Sequence, residues 1–269
     1  MHKAHPDKLK FVLEAVELPA LFEIIEVEVN HDCNLSCSYC PISQFERIEK
    51  GQMPLELFEK LLNQLKEAGF AGRMHFHFYN EPTLKKDLEL FVRRAKEVLP
   101  KLRIDLSTNG TLLSLERFNK LEEAGVDRFT LTKHENIVGW LFDKTYSQLT
   151  DAQKQKVGNS GYDELPLDNR GGLLPEVGES GGEKLPCLIP SYLTVVTLDG
   201  QVLPCYEDFF QKESMGSIKE KSILEIWNSS KYQNFRNTLK VQNSRKKFDI
   251  CKDCNNKRIF PNKFNSIFK

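Results

Sequence analysis

Three cysteines, Cys33, Cys37 and Cys40, follow directly on an Ile- and Val-rich run, Phe22 to Val29, and precede a helix. Four more lie far downstream, at Cys187, Cys205, Cys251 and Cys254. Seven thiols cannot all pair within one chain, and their grouping as three and four suggests metal ligation rather than disulfides. A 4Fe–4S cube needs a ligand on each of its irons, so three thiolates leave one iron open to a small molecule. The bland alternatives are a zinc site or buried free thiols. Zinc usually divides its ligands between two separated knuckles, and only His31 offers a local fourth ligand here.

The rest of the first half alternates between strand and helix patterns. Strands are expected at Phe22–Val29, Met74–Tyr79, Leu102–Ser107 and Arg128–Thr132. A periodic helix opens at Pro54, with Leu55, Phe58, Leu61, Leu62 and Leu65 on one face and Gly69 at its end. Leu84–Leu99 reads as a second helix stopped by Pro100, and a third runs from a Ser114 cap to Gly125. Such alternation implies an α/β fold with a parallel sheet and crossover helices. The 269 residues suit one large domain, or one with a small appendage.

Residues 158–182 then hold seven of the fifteen glycines, together with Pro166 and Pro175. A long irregular segment of this kind is usually functional or disordered. Beyond it, Tyr192–Leu198, Asp199-Gly200 and Gln201–Leu203 spell a β-hairpin. Ser222 and Glu225 form a capping box ahead of Ile223, Ile226 and Trp227, and a Cys251-x-x-Cys254 pair and a basic tail close the chain. Basic and acidic residues balance at 38 each, which gives no reason to expect nucleic acid as a partner. Met1–Val16 lacks a continuous apolar stretch and no segment is long enough to span a bilayer, so a soluble cytoplasmic protein without a signal peptide is expected.

Cys-x3-Cys-x2-Cys after a first strand, with Tyr39 before the last Cys, resembles the radical S-adenosylmethionine (SAM) superfamily. The resemblance implies a partial (β/α)6 TIM-like barrel with its chemistry at the C-terminal ends of the strands. It implies that Cys33, Cys37 and Cys40 hold a 4Fe–4S cluster whose open iron binds SAM. Asn80-Glu81-Pro82 stands where the family has a Gly-Gly-Glu-Pro-like motif, with Tyr79 and Asn80 in place of the glycines. Asn80 and Glu81 would contact the methionine amino group, Ser107 and Asn109 the ribose and carboxylate, and Tyr39 the adenine. His134, after Lys133 at the end of the fourth strand, would face SAM or substrate. Without a family context, Asn-Glu-Pro and Thr108-Asn109-Gly110 are ordinary turns. His75 and His77 alternate on one strand face and, with no third ligand nearby in sequence, are expected to be packed or hydrogen-bonded.

Cys187, Cys205, Cys251 and Cys254 could ligate one full cubane or a structural zinc, and spacing alone leaves both open. The order of hairpin, cysteine, helix and CxxC resembles the twitch domain, the shorter relative of the SPASM domain. That implies one auxiliary 4Fe–4S cluster, hence two in all, and three regions: 20–160, 161–186 and 187–269. The module resembles most closely the twitch dehydrogenases that oxidise 2-deoxy-scyllo-inosamine in aminoglycoside pathways. There an arginine before the first auxiliary Cys and residues after the second face substrate, which would make Arg170, Tyr206 and Glu207 the catalytic candidates. Outside that resemblance, Arg170 reads as a loop ion-pair partner and Tyr206 as a packing residue.

With every cysteine assigned, no thiol remains to quench a substrate radical, whereas an auxiliary cluster can accept an electron. The expectation is therefore oxidation of a secondary alcohol of a cyclitol or sugar to a ketone, with flavodoxin or ferredoxin as electron donor. Alternatives are a radical SAM epimerase or dehydratase of a sugar or aminoglycoside, a peptide-modifying maturase, and a non-enzymatic zinc-binding interaction module.

Overall fold

The computed structural model describes residues 18–47, 49–135, 137–178 and 185–257. The Met1–Val16 reading, Gly181, Gly182 and the basic tail from residue 258 onward lie outside the described residues.

One eight-stranded sheet organises the chain, in the order β5-β4-β3-β2-β1-β6-β7-β8. Strands β1 (Ile24–Val27), β2 (Arg73–His75), β3 (Arg103–Thr108), β4 (Arg128–Lys133), β5 (Val157–Gly161) and β6 (Leu193–Val196) are parallel. Strands β7 (Gln201–Leu203) and β8 (Gly216–Ser217) follow antiparallel, which makes β6 and β7 the expected hairpin. The six parallel strands of the expected barrel are present. The sixth, however, flanks β1 rather than following β5, so the hairpin is an extension of the barrel sheet itself.

The helices lie where the periodicity put them. In α1 (Leu55–Glu67), Leu57, Phe58, Leu61, Leu62 and Leu65 are buried, with Leu57 taking the core position expected of Leu55. Helix α2 (Leu88–Val98) starts four residues later than expected, because Pro82 opens a separate 3-10 turn and Lys85 is extended. Ser114 caps α3 (Leu115–Ala124), and Gly125 ends it at φ 121°, a conformation that costs glycine little. These three helices cover one face of the sheet, where Ile25, Val27, Met74, Ile104 and Leu106 form the core with them. On full burial, each such side chain contributes roughly 1.5–3 kcal/mol.

The opposite face is apolar around β6 and β7, where Ile24, Leu193, Val195 and Leu203 form a second buried cluster, and polar across β1, β2 and β3. Strand alternation turns Glu26, His75 and Asp105 onto one row across β1, β2 and β3, since these residues are register partners. Three elements eluded the sequence pattern. Helices α4 (Leu141–Gln148) and α5 (Asp151–Gln155), the latter capped by a Thr150 capping box, lead into β5, whose Val-Gly-Asn-Ser-Gly run has no apolar alternation. No helix among the described residues is long and apolar enough to cross a membrane.

Candidate active site between two groups of cysteines

The first cysteine loop leaves β1 and is tied to the loops that leave its neighbours. Asn30 Nδ2 donates to the carbonyls of Asp32 and Glu81 at 3.0 and 3.2 Å, and Asn80 Nδ2 returns a bond to Asn30 Oδ1 at 3.0 Å. Asn109 Nδ2 donates to Asn34 Oδ1 at 2.9 Å, which fixes the loop to the end of β3. Ser38 bonds Glu135, and the Tyr39 hydroxyl meets His134 Nδ1, both just past β4.

Within this frame Cys33, Cys37 and Cys40 face one another closely enough that each thiol feels another's charge. Burial pushes all three thiols up, Cys37 to about 11, so the protonated form prevails at neutral pH. A bound cation reverses this, because metal ligation displaces the protons. Three converging soft donors suit an iron–sulfur cluster with one iron left free of protein.

The structure also shows where the expected SAM contacts sit. Glu81 is buried, and its carboxylate accepts from Thr83 N, Thr83 Oγ1, Thr108 Oγ1 and Asn109 N at 2.5–3.0 Å. Asn80 Oδ1 accepts from Phe78 N at 2.8 Å, and that bond peels the chain off β2, which is why the expected strand to Tyr79 ends at His75. Asn109 is buried, with Oδ1 held by Thr111 at 2.6 and 2.9 Å. Ser107 lies half-buried near the end of β3. Tyr39 packs against Tyr162, ring centres 5.2 Å apart, and against His134 at 6.0 Å. Burial lowers the pKa of His134, so its ring is neutral beside the Tyr39 hydroxyl.

The second group forms one cavity. Cys187 N bonds the Leu239 carbonyl at the end of α6 (Ser230–Leu239), Cys205 follows β7, and Cys251 and Cys254 come from α7 (Asp249–Lys252) and the turn after it. Their thiols line that cavity with Ile189, Pro190, Phe235 and Leu239. Burial pushes all four thiols up, Cys254 to about 12, and neighbouring thiols add to the shift at Cys205, Cys251 and Cys254. Four sulfurs converging on one cavity, with the Glu207 carboxylate also at its wall, make a donor set suited to a fully ligated cluster.

Between the two groups stands Arg170. Asn169 locks its segment to the CxxC turn: Asn169 Nδ2 donates to the Asp253 carbonyl at 2.8 Å, and Asn255 Oδ1 accepts from Asn169 N at 2.7 Å. Gly172, at φ 95°, lies so close to Asp253 that a Cβ would fall 2.6 Å from Asp253 Cβ. Arg170 itself sits at φ 51°, a left-handed conformation uncommon for a residue with a side chain. Its Nε donates to the Tyr39 carbonyl at 3.4 Å, and its Nη1 approaches Asp168 Oδ1 at 3.5 Å.

Glu207 is buried beside Asp168 and Arg170, with Oε1 accepting from Asn256 Nδ2 at 3.0 Å. Burial raises its carboxyl, and the adjacent Asp168 raises it further while Arg170 opposes both. Asn256 Nδ2 also donates to the Tyr206 hydroxyl at 3.2 Å. Tyr79, buried within the field of Glu207, Arg170, Cys40 and Asp168, has a hydroxyl with no hydrogen-bond partner among the described residues. Burial costs an unsatisfied hydroxyl a few kcal/mol, roughly 1–3, so this one is available to a ligand. Asp168, Tyr79, Tyr162, Glu135 and Asn256 were not singled out from sequence as functional. Only Asp168 had a local signal, two residues from Arg170.

On the polar part of the opposite face, His77 Nε2 faces Glu26 Oε1 at 3.5 Å and His75 Nε2 faces Asp105 Oδ2 at 3.6 Å. The third group missing from the local sequence thus comes from the next strand, and ligating atoms of Glu26, His75 and His77 lie within 4.8 Å of one another.

Comparison with known proteins agrees with this geometry. The radical SAM superfamily profile matches residues 27–134, and the SPASM iron–sulfur cluster-binding domain profile matches residues 187–255. The S-adenosyl-L-methionine-dependent 2-deoxy-scyllo-inosamine dehydrogenase of Niallia circulans is 44% identical over 236 residues, 88% of this chain and 94% of that protein. The crystal structure of BtrN in complex with AdoMet and 2-DOIA is similar at a TM-score of 0.83 and 43% identity, covering 89% of this chain and 95% of the other. BtrN in an open conformation gives 0.70 at 38% identity, covering 88% and 93%. The chain therefore belongs to the radical SAM superfamily, as an enzyme with a SPASM-type domain that uses SAM and iron–sulfur clusters.

Proposed function

We propose that this enzyme oxidises a secondary alcohol of an aminocyclitol, or of a closely related cyclic sugar, to a ketone. The observation that carries the reading is the meeting of Arg170, Glu207 and the unpartnered Tyr79 hydroxyl between two thiol groups that together use every cysteine. The 44% identity to a 2-deoxy-scyllo-inosamine dehydrogenase supports the aminocyclitol.

Turning an alcohol into a ketone removes a hydrogen atom from carbon, a proton from oxygen and one further electron. When bound, SAM and the first cluster would supply the radical chemistry that removes the hydrogen atom, and the second cluster would be the acceptor for the electron. Cys33, Cys37 and Cys40 would hold the first cluster, and Cys187, Cys205, Cys251 and Cys254 the second. Tyr39, Asn80, Glu81, Ser107, Asn109 and His134 would enclose SAM. The side chains of Asn80, Glu81 and Asn109 are engaged within the protein, so these residues would serve SAM by fixing the loops that surround it.

Arg170 orients a ring hydroxyl, and the Glu207–Asp168 pair receives its proton. Tyr206, held by Asn256, closes the wall on the cluster side. Region 20–160 together with β6 would then serve as barrel, 161–186 as substrate segment and the rest of 187–269 as electron-accepting module. No thiol is left to return a hydrogen atom, which weighs against an epimerase. A flavodoxin or ferredoxin is the natural reductant, and the cytoplasm the compartment in which seven reduced cysteines persist.

Anaerobically reconstituted protein given SAM and an aminocyclitol tests this. Equal amounts of 5′-deoxyadenosine and ketone are expected. Recovery of an epimer carrying solvent deuterium at carbon would overturn it.

A further inference from the structure

The cavity that gathers Cys187, Cys205, Cys251 and Cys254 is also lined by a charged side chain that nothing above assigns a task. Arg245 is 3% exposed, and its guanidinium reaches the thiols from the turn at 244–247. Its Nη1 donates to the Asn256 carbonyl at 2.7 Å and lies 3.9 Å from Cys254 Sγ, while Nη2 donates to the Pro186 carbonyl at 3.4 Å. Nε has no hydrogen-bond partner among the described residues.

A cation taken out of water needs a counter-charge, and a lone buried one is disfavoured. Arg245 lines the same cavity as all four cysteines, with Nη1 3.9 Å from Cys254 Sγ, and once metal ligation has displaced the thiol protons the sulfurs supply that counter-charge. A carbonyl-only role, bracing the Pro186 and Asn256 backbone, would not require a charged group in the cavity that gathers the four thiols.

We propose that Arg245 is a positioning residue for electron transfer, a fixed positive charge that raises the reduction potential of the cluster held by these four cysteines. The inference rests on the reading that an iron–sulfur cluster, and not zinc, occupies them. A cubane with four thiolates is anionic and gains one more negative charge on reduction. A cation that cannot be deprotonated stabilises the reduced state more than the oxidised one, and hydrogen bonds to sulfur act in the same sense. In the proposed reaction, that makes the second site a better acceptor of the substrate's electron.

The test compares wild type with Arg245→Gln, Arg245→Met and Arg245→Lys as full-length holoenzymes. Iron content is measured, and the midpoint of the SAM-insensitive cluster is followed by EPR-monitored redox titration. The expected result is about eight irons per chain throughout, with the neutral variants shifted negative by at least a tenfold loss in the equilibrium for electron acceptance, ~59 mV for one electron. Arg245→Lys should stay near wild type. An unmoved potential in fully loaded Gln and Met variants overturns the inference, and so does loss of the second cluster in all three variants alike, which would make Arg245 a brace. About four irons in wild type would overturn the auxiliary-cluster reading first, and the inference with it.

Discussion

Arg170 Nε donates to the backbone carbonyl of Tyr39 across 3.4 Å, joining the segment that precedes the second cysteine group to the loop that carries the first. The contact puts a guanidinium at the seam between the two thiol clusters, next to Asp168, Glu207 and Tyr79.

Replacing Arg170 by Ala should lower kcat/KM by at least ~100-fold, about 3 kcal/mol of transition-state stabilisation, with iron content unchanged. Arg170→Lys should recover little of this, because an ammonium lacks the planar fork that addresses a hydroxyl and a carbonyl together. Steady-state kinetics with the ketone as readout, alongside iron analysis, checks both.

Gly172→Ala is expected to act on the metal rather than on substrate binding alone. Its φ of 95° and a Cβ 2.6 Å from Asp253 Cβ would force the CxxC turn outward. Iron should fall from about eight to about four per chain, while SAM binding by equilibrium dialysis is retained.

Arg47 and Glu28 form an ion pair with side chains 1% and 0% exposed, and Arg47 also lies over the rings of Phe78 and Phe209 at 5.4 and 5.2 Å. Burial alone pushes the Glu28 carboxyl up, and Arg47 draws it back. Arg47→Met strands a buried carboxylate and should cost about 3–5 kcal/mol in anaerobic urea unfolding. Adding Glu28→Gln should return much of that loss. Equal stability of the single and double variants would refute the coupling.

His75 and His77 give the protein an acid limit. Burial holds His75 down to about 4 and His77 to about 3, so the folded state refuses protons that the unfolded chain takes up below about 6.5. Stability is therefore present above that value and is lost as pH falls through 6 towards 4. With the two side chains 20% and 28% exposed, solvent screening reduces the effect to about 1 kcal/mol per histidine. His77→Gln should flatten the stability profile between pH 6.5 and 4, measured by urea midpoint. An unchanged slope would contradict this.

The parts that were legible in the sequence are those with local signals. Periodicity gave α1 its buried face, and the caps at Ser114 and Ser222 work as expected through Arg117 N and Glu225 N. The hairpin at Asp199-Gly200 forms with Gly200 at φ 88°. β5 escaped notice because a strand needs only backbone partners, and Val157–Gly161 takes them from β4 without any apolar alternation. The strand expected to run to Tyr79 stops early because a side chain, Asn80, captures the amide of Phe78. The partners of His75 and His77 were invisible for a further reason: Asp105 and Glu26 become their neighbours only through strand register. Tyr79 and Asp168 likewise reach Glu207 only through the fold.

The pairing of β6 with β1, from Ile24↔Leu193 to Val27↔Val196, has a consequence for how the enzyme can move. The strand that leads into Cys33 and the strand flanked by Cys187 and Cys205 share one hydrogen-bonded ladder. Any opening that admits substrate has to be made by loops and helices around that ladder. The spacing between the loop that follows β1 and the cysteines that flank β6 is thereby anchored by the sheet rather than by loops alone.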